Sequence, residues 1–160
     1  KPGSGPRHLT FHPSLRVAYL VHELSGDITA LQFENGKFSE LQNMSPVKDH
    51  KGKTDAADIR ISPDGKFLYA SYRGDLNELV IYSINAKDGT LTAAGKQATG
   101  GTGPRNFTID PSGNFLLVAH QKSNDITIFS RNKQTGQLTP LAGKRIAVDS
   151  PVCLVFVKAD

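Results

Sequence analysis

The feature that most constrains the fold is a repeat marked by three turn prolines. Pro13, Pro63 and Pro111 each follow an alternating apolar run, and they are separated by 50 and 48 residues. The segments that lead into them read PRHLTFHP, ADIRISPDG and PRNFTIDPSG. A period of roughly 20–50 residues is the signature of solenoids, propellers or other arrays. The chain is therefore expected to contain three copies of one supersecondary unit.

Each copy carries the signals of four short β-strands. Val, Ile, Phe, Tyr and Thr dominate the apolar runs, which are bounded by Gly, Asp, Asn and Pro. A glycine turn then leads to a fourth run, which reads ENGKFSELQ (34–42), KDGTLTAAG (87–95) or QTGQLTPLAG (134–143). Helical spacing is not sustained beyond about two turns anywhere. Four strands in about 50 residues are typical of a propeller blade rather than of a helical solenoid.

The predicted fold is an all-β partial propeller over residues 1–160. Blade one covers about 5–43, blade two about 56–97 and blade three about 104–148, and a closing strand follows at 151–157. A propeller needs about 4–8 blades to close on itself, so we expect a piece of a longer chain, as the first residue, Lys1, also indicates. The open edges are expected to meet the remaining blades of the parent chain or to self-associate.

Composition narrows the classes of function. The net charge of +4 comes from scattered Lys and Arg, which does not favour nucleic acid as a partner. No apolar run approaches the roughly 18–20 residues that span a bilayer, so no membrane partner is expected. The single cysteine, Cys153, excludes an internal disulfide and favours a reducing, cytoplasmic location. No metal-ligand spacing or phosphate-binding loop occurs, so we predict neither metal nor cofactor.

Hairpin topology predicts that ionisable residues gather at one mouth of the ring. The first strand of a blade starts on the face where its antiparallel neighbour ends. Arg7 begins the first strand of blade one, Glu23 follows its second strand, and Arg73 follows the second strand of blade two. Further polar residues at corresponding positions are His8, His22, Asp58, Arg105, Asn106, His120 and Gln121.

These residue types favour an anionic ligand, because arginine suits bidentate contacts with oxyanions and phosphate. A carboxylate beside them could act as a general base. A structural interpretation remains open: arginines at strand starts can bind neighbouring backbone carbonyls, Glu23 can be an ordinary loop carboxylate, and His22 can be a half-buried hydrogen-bonding residue.

Longer segments carry a family resemblance. GSGPRHLTFHP, HELSG, ADIRISPDGKFLYASYRG, GPRNFTIDPSGNFLLVAHQ and SPVCLVF occur in this order. Together they resemble the lactonase family of seven-bladed β-propellers, whose members include bacterial 6-phosphogluconolactonases and, as a relative, a fungal carboxy-cis,cis-muconate cyclase. The resemblance covers essentially the whole chain and corresponds to the C-terminal portion of the family, its last three blades and closing strand.

The resemblance implies an active site at the propeller mouth. The family places there an arginine of a PRH motif, a glutamate of an N-E-L motif and an arginine of an N-R-G motif, which match Arg7, Glu23 and Arg73. His22 and Tyr72 stand where asparagine is common in the family. The family also has a histidine in the preceding blade, a part of the ring that this sequence does not include.

Three hypotheses of function follow. In the first, the parent protein hydrolyses a sugar lactone, 6-phosphogluconolactone to 6-phosphogluconate in the pentose phosphate pathway, with Glu23 as general base and Arg7 or Arg73 facing the oxyanion. The substrate-binding residues would be His8, His22, Arg105, Asn106 and Gln121. In the second, the propeller is a binding or scaffold module. In the third, the enzyme acts on a carboxylated, muconate-like lactone.

Overall fold

The computed structural model describes residues 1–157 and contains twelve β-strands, so the last three residues of the predicted 1–160 unit lie outside the described residues. The strands are β1 (Pro6–Phe11), β2 (Val17–His22), β3 (Ile28–Glu34), β4 (Lys37–Met44), β5 (Ala56–Ile61), β6 (Phe67–Tyr72), β7 (Glu78–Ile84), β8 (Leu91–Ala98), β9 (Pro104–Ile109), β10 (Phe115–His120), β11 (Asp125–Arg131) and β12 (Leu138–Ala147). None of the described residues forms a helix that is long and apolar enough to cross a membrane.

The strands form three antiparallel sheets of four, each in the order of the chain: β1–β4, β5–β8 and β9–β12. The predicted all-β class and the three four-stranded blades are confirmed. The turns after the first strands close as the sequence indicates, since Gly65 N donates to Ser62 O and Gly113 N donates to Asp110 O, both at 2.8 Å. Both glycines have φ of 71°, a left-handed conformation that favours glycine.

The hydrophobic core lies between neighbouring blades. One cluster packs Tyr19 and Val21 of β2 against Leu68 and Tyr72 of β6. The other packs the opposite face of β6, including Tyr69, against β9 and β10 of blade three. Every residue of β6 is buried, because successive side chains of a strand point to opposite faces and both faces of this central blade are covered.

In blades one and two, a tyrosine of the second strand binds the backbone of the next blade. Tyr19 Oη donates to Gly89 O at 2.7 Å, and Tyr69 Oη donates to Gly136 O at 2.8 Å. Both glycines lie in the turn before the fourth strand of the neighbouring blade and have φ of 77° and 73°. A Cβ at Gly136 would lie 2.4 Å from the Phe67 ring. The blades therefore pack by a repeated geometry that requires glycine at this position.

The outer faces of the first and third blades expose large apolar side chains. In blade three, Leu117 occupies the position of Tyr19 and Tyr69, and its neighbour Phe115 is 42% exposed. In blade one, the rings of Phe33 and Phe38 lie 4.9 Å apart beside Phe11. The corresponding faces between the blades are buried, so these end faces have the composition of blade interfaces.

The predicted closing strand at 151–157 has no strand partner within the described residues. It runs beside blade three, where Leu154 N donates to Asn106 Oδ1 at 2.7 Å. Val155 and Val157 are 75% and 84% exposed. Strand pairing requires a second chain segment, and the predicted one belongs to a blade outside this sequence. The closing strand therefore stays a prediction for the whole ring.

Candidate active site

A β-bulge interrupts the start of the first strand in every blade. The register of the β1–β2 ladder shifts between Pro6 and His8, and the ladders of β5 and β9 shift at the corresponding place. A bulge leaves a residue unpaired and re-aims the neighbouring side chains. Arg7 and His8 are consecutive, yet both side chains reach β5 of the next blade. The bulge thus directs two polar groups of β1 to one place.

Three charged side chains from two blades meet at the end of the sheets where β1 begins. Arg7 Nη1 lies 3.0 Å from Glu23 Oε2, and Arg73 Nη2 contacts the other oxygen, Oε1. Glu23 directly follows β2, and Arg73 directly follows β6. The structure therefore brings together the three residues that the hairpin argument and the family motifs singled out. We call them the arginine–glutamate cluster.

Backbone carbonyls of blade two hold both guanidinium groups. Arg7 Nε donates to Ala57 O at 2.8 Å, and Arg73 Nε donates to Asp55 O at 3.0 Å. Each arginine therefore has one anchor on the backbone and one on Glu23. Because a guanidinium has five N–H donors, both retain N–H groups beyond these contacts. The cluster is an oriented set of donors suited to an anionic or developing negative charge.

The contacts of Glu23 argue against its predicted role as a general base. Burial alone would raise the pKa of this carboxyl, but the hydrogen bonds and charges of Arg73 and Arg7 outweigh it and lower the pKa. Both carboxylate oxygens have a guanidinium partner. A carboxylate with a lowered pKa has a weakened affinity for protons. The geometry instead suits Glu23 to orienting the two arginines.

A second set of polar contacts joins the same positions of all three blades. His8 Nδ1 lies 3.0 Å from Asp58 Oδ1, and Asn106 Nδ2 donates to Asp58 Oδ2 at 2.7 Å. The three residues are in β1, β5 and β9. Asp58 is buried, and the His8 side chain is 45% exposed. We call this set the His8–Asp58–Asn106 row.

A cavity of about 330 Å³ lies where one residue of the cluster meets two residues of the row. Its lining includes Arg7, His8, Asp58 and Arg60. Arg7 belongs to the cluster, while His8 and Asp58 belong to the row. A ligand in this cavity could therefore contact Arg7 together with His8 and Asp58.

Arg105 and Gln121 contact each other. Arg105 Nη1 donates to Gln121 Oε1 at 3.4 Å, and both side chains are half-buried. Their positions in blade three correspond to those of Arg7 and Glu23 in blade one. The pair carries a net positive charge, because the glutamine does not neutralise its arginine. This leaves Arg105 free to bind an anion.

The predicted contact of His22 with substrate finds no support in its surroundings. The side chain is buried inside blade one, where Nδ1 lies 3.0 Å from Ser4 Oγ and Nε2 lies 2.9 Å from Thr29 Oγ1. Burial lowers the pKa of its imidazole. His120, at the same position of blade three, is fully buried beside Asp125. Both are interior residues because this last residue of the strand points into the sheet packing.

Asn106 is also predicted to bind substrate, but its side-chain amide already has two partners in the protein. Asn106 Nδ2 binds Asp58, Oδ1 accepts from Leu154 N, and the residue is buried. Sequence reasoning placed Asp58 at the mouth but did not give it a role. The available signal was the alignment of residues 8, 58 and 106, which puts a polar side chain at one position of all three repeats.

The fold and this cluster define the class: a β-propeller that carries a carboxylate held between two arginines at one mouth. The chain belongs to the lactonase family, because the family described as "Lactonase, 7-bladed beta-propeller" matches residues 1–156. The resemblance inferred from the motifs is therefore confirmed.

Individual relatives agree with this membership. The chain is 49% identical over 157 residues to a 6-phosphogluconolactonase of Formosa agariphila, and the match covers 98% of this chain and 44% of the relative. It is 34% identical to a 6-phosphogluconolactonase of Bacillus subtilis, over 98% of this chain and 45% of the relative. The structure of the periplasmic gluconolactonase PpgL of Pseudomonas aeruginosa superposes with a TM-score of 0.92 at 40% identity, covering 99% of this chain and 44% of that one. The chain thus spans less than half the length of these relatives.

Proposed function

We propose that the whole protein hydrolyses a sugar lactone, 6-phosphogluconolactone to 6-phosphogluconate, a step of the pentose phosphate pathway. The observation that carries the proposal is the arginine–glutamate cluster, in which one carboxylate contacts two guanidinium groups at one end of the sheets. The names of the Formosa agariphila and Bacillus subtilis relatives support the substrate.

The chemistry of lactone hydrolysis matches the donors of the cluster. Attack of water on the ring carbonyl develops negative charge on the carbonyl oxygen. Fixed donors that face this oxygen stabilise the transition state, and removing one such donor costs about 10²–10³ in kcat. Arg7 and Arg73 have this role in the proposal, and Glu23 positions them. Arg105, with Gln121 beside it, binds the phosphate of the substrate.

The proposal is tested by an assay of the full-length protein with 6-phosphogluconolactone, unphosphorylated gluconolactone and a carboxylated muconolactone. The expected order of kcat/KM places the phosphorylated lactone first. Arg73→Met should lower kcat by about 10²–10³-fold. The matched control is Arg16→Met, because Arg16 is an exposed arginine in the turn between β1 and β2, at the opposite end of the strands.

Two results would contradict the proposal in different ways. A preference for the carboxylated lactone would favour the muconate-type alternative. If the protein hydrolysed none of the three lactones, the proposal of an enzyme would be wrong and a binding or scaffold propeller would be favoured. The cytoplasmic location stays a prediction.

The remaining blades of the parent chain are the proposed partners of the two end faces. The support is the apolar composition of these faces: Phe11, Phe33 and Phe38 are exposed on blade one, and Phe115 is exposed beside the half-buried Leu117 on blade three. Exposed sheet edges and apolar patches promote association. The isolated 160-residue chain should therefore self-associate in size-exclusion chromatography with light scattering, and a full-length chain should not do so through these faces. A monodisperse monomer of the isolated chain would contradict this.

A further inference from the structure

The orientation of the His8 imidazole is set by a buried carboxylate. His8 Nδ1 lies 3.0 Å from Asp58 Oδ1, and Asp58 also forms an ion pair with Arg60. An ionised carboxylate only accepts hydrogen bonds, so Nδ1 must carry the proton. In the neutral imidazole the lone pair then lies on Nε2. Within the described residues Nε2 has no hydrogen-bond partner, and the side chain is 45% exposed.

Asp58 is itself fixed by donors on all sides. Besides His8, its two oxygens accept from Ile59 N at 2.9 Å, Arg60 Nε at 3.2 Å, Asn106 Nδ2 at 2.7 Å and Phe107 N at 3.3 Å. Asn106 can offer Asp58 only its amino group, because its Oδ1 accepts from Leu154 N, a backbone group that can only donate. The hydrogen-bond direction therefore runs from Leu154 through Asn106 to Asp58. The carboxylate of Asp58 therefore accepts the hydrogen bond from His8 Nδ1.

His8 is also placed beside Arg7, one of the two donors that would bind a substrate carbonyl. It lines the same cavity as Arg7, its neighbour in the bulge of β1. The charged groups around the imidazole are Arg7 on its own strand and Asp58 and Arg60 on β5. Glu23 is less suited to accept a proton, since both of its oxygens are bound to arginines. His8 is therefore the group of this cavity that combines an oriented lone pair with access to it.

We propose that His8 is the general base of the lactonase reaction and that Asp58 is its positioning residue. This inference rests on the proposed function. Geometry carries it: a buried carboxylate holds one nitrogen of His8, the other nitrogen has no hydrogen-bond partner within the described residues, and Arg7 lines the same cavity. It replaces the substrate-binding role predicted for His8 from the sequence.

The step is balanced as follows. The oxygen of a water molecule forms a bond to the carbonyl carbon, and His8 Nε2 accepts a proton from that water. The carbonyl π electrons move to the oxygen, which faces the guanidinium groups of Arg7 and Arg73. When the intermediate collapses, the bond from carbon to the ring oxygen breaks, and the ring oxygen takes the proton from the imidazolium. The carboxylic acid that forms then loses its proton to solvent.

Variants of His8 in the full-length protein test the proposal. His8→Gln retains a donor that can reach Asp58 but has no nitrogen that accepts a proton, so kcat for 6-phosphogluconolactone should fall by about 10²–10⁴-fold with KM little changed. His8→Ala should lose a similar factor and regain activity when imidazole is added. The matched control is His12→Gln, because His12 lies in the turn at the opposite end of the strand and contacts Gly65 O. Its activity should equal that of the unmodified protein.

Asp58→Asn separates positioning from catalysis. The neutral amide cannot accept from all the donors around it, so the imidazole loses its fixed orientation. We expect kcat to fall at least about tenfold, with a smaller change in KM. Thermal unfolding of each variant, followed by circular dichroism, shows whether the fold is retained.

A spectroscopic measurement on the unmodified full-length protein keeps the proposal testable even if a variant does not fold. Long-range ¹H–¹⁵N correlation should show His8 in the Nδ1–H tautomer. The Nε2–H tautomer would overturn the proposal, as would a His8→Gln enzyme that retains the parental kcat. If the unmodified protein hydrolyses no lactone, the proposed function and this inference both fail. If it is active and the His8 variants are too, the inference alone fails.

Discussion

Blades one and three present the same pair of positions with different chemistry. Arg7 and Glu23 are 16 residues apart and form an ion pair at 3.0 Å. Arg105 and Gln121 are also 16 residues apart, but they form a hydrogen bond at 3.4 Å whose acceptor is an uncharged amide oxygen. The strands that carry the two pairs have the same order and the same bulge. The repeat therefore supplies the geometry, and one side chain, carboxylate or carboxamide, decides whether the arginine is neutralised.

This difference gives the two arginines different uses in the proposed reaction. Arg7 has its orientation fixed by a backbone carbonyl and a carboxylate, which suits an oxyanion that appears only in the transition state. Arg105 contacts an uncharged partner and keeps its full charge for an anion present in the ground state, such as a phosphate. Substitutions in the pair of blade one should therefore lower kcat, whereas substitutions in the pair of blade three should raise KM.

In this comparison of the two pairs, the largest effect on kcat is expected when the carboxylate partner of Arg7 is replaced by an amide, the partner that Arg105 has in blade three. In the full-length protein Glu23→Gln should lower kcat by about 10²-fold or more, because two guanidinium groups lose the anion that orients them and repel each other. Steady-state kinetics with 6-phosphogluconolactone measures the effect. If His8 is the base, the dependence of the residual kcat on pH should keep its parental shape. An unchanged kcat would show that the carboxylate has no role in positioning.

A smaller effect, confined to binding, is expected from Arg105→Ala. The loss of a charge-assisted contact with phosphate is worth about 1.5–3 kcal/mol, so KM for the phosphorylated lactone should rise by about tenfold or more while kcat changes little. The control is the same measurement with unphosphorylated gluconolactone, whose KM should not change. An equal loss with both substrates would contradict a phosphate contact.

The reciprocal exchange in blade three should have a weaker effect. Gln121→Glu gives Arg105 a carboxylate partner like that of Arg7. A half-buried pair of this kind is worth up to about 1 kcal/mol, so the competition should raise KM for the phosphorylated lactone by up to about fivefold. The melting temperature should stay the same or rise slightly. A lower KM would contradict the proposed role of Arg105.

The residues that sequence reasoning placed correctly are those whose position follows from strand topology alone. Three repeats of four strands predict the sheets, and the hairpin rule brings Glu23 to the end of the strands where Arg7 begins. The contacts of individual atoms could not be predicted in this way. The sequence pattern of a strand does not show whether the side chain of its last residue, such as His22, points inward. It also does not show how many hydrogen-bond donors surround a carboxylate. Some of these partners come from adjacent blades, and their distances depend on how the blades pack: Arg73 on Glu23, and His8, Asn106 and Phe107 on Asp58.

The smallest effect concerns the stability of the ion pairs at acid pH. The pKa of Glu23 is lowered from its ordinary 4.5 by Arg73 and Arg7, against the effect of burial. A group whose pKa is lower in the folded state stabilises the fold above its unfolded pKa, and this contribution is lost as the pH falls through the folded pKa. The melting temperature of the unmodified protein should therefore exceed that of Glu23→Gln at pH 7, and the difference should shrink below about pH 4.5.

Comparing the two proteins isolates this contribution from other carboxyl groups. The pKa values of Asp64 and Asp110 are also lowered, by hydrogen bonds that outweigh burial, so both proteins should lose stability in acid. Only the difference between their melting temperatures measures the contribution of Glu23. Gln121→Glu provides the matched measurement in blade three, where the new carboxylate has one arginine partner instead of two and should stabilise less. If the difference in melting temperature stayed constant from pH 7 to pH 3, the ion pairs of Glu23 with its arginines would not contribute to the stability of the fold.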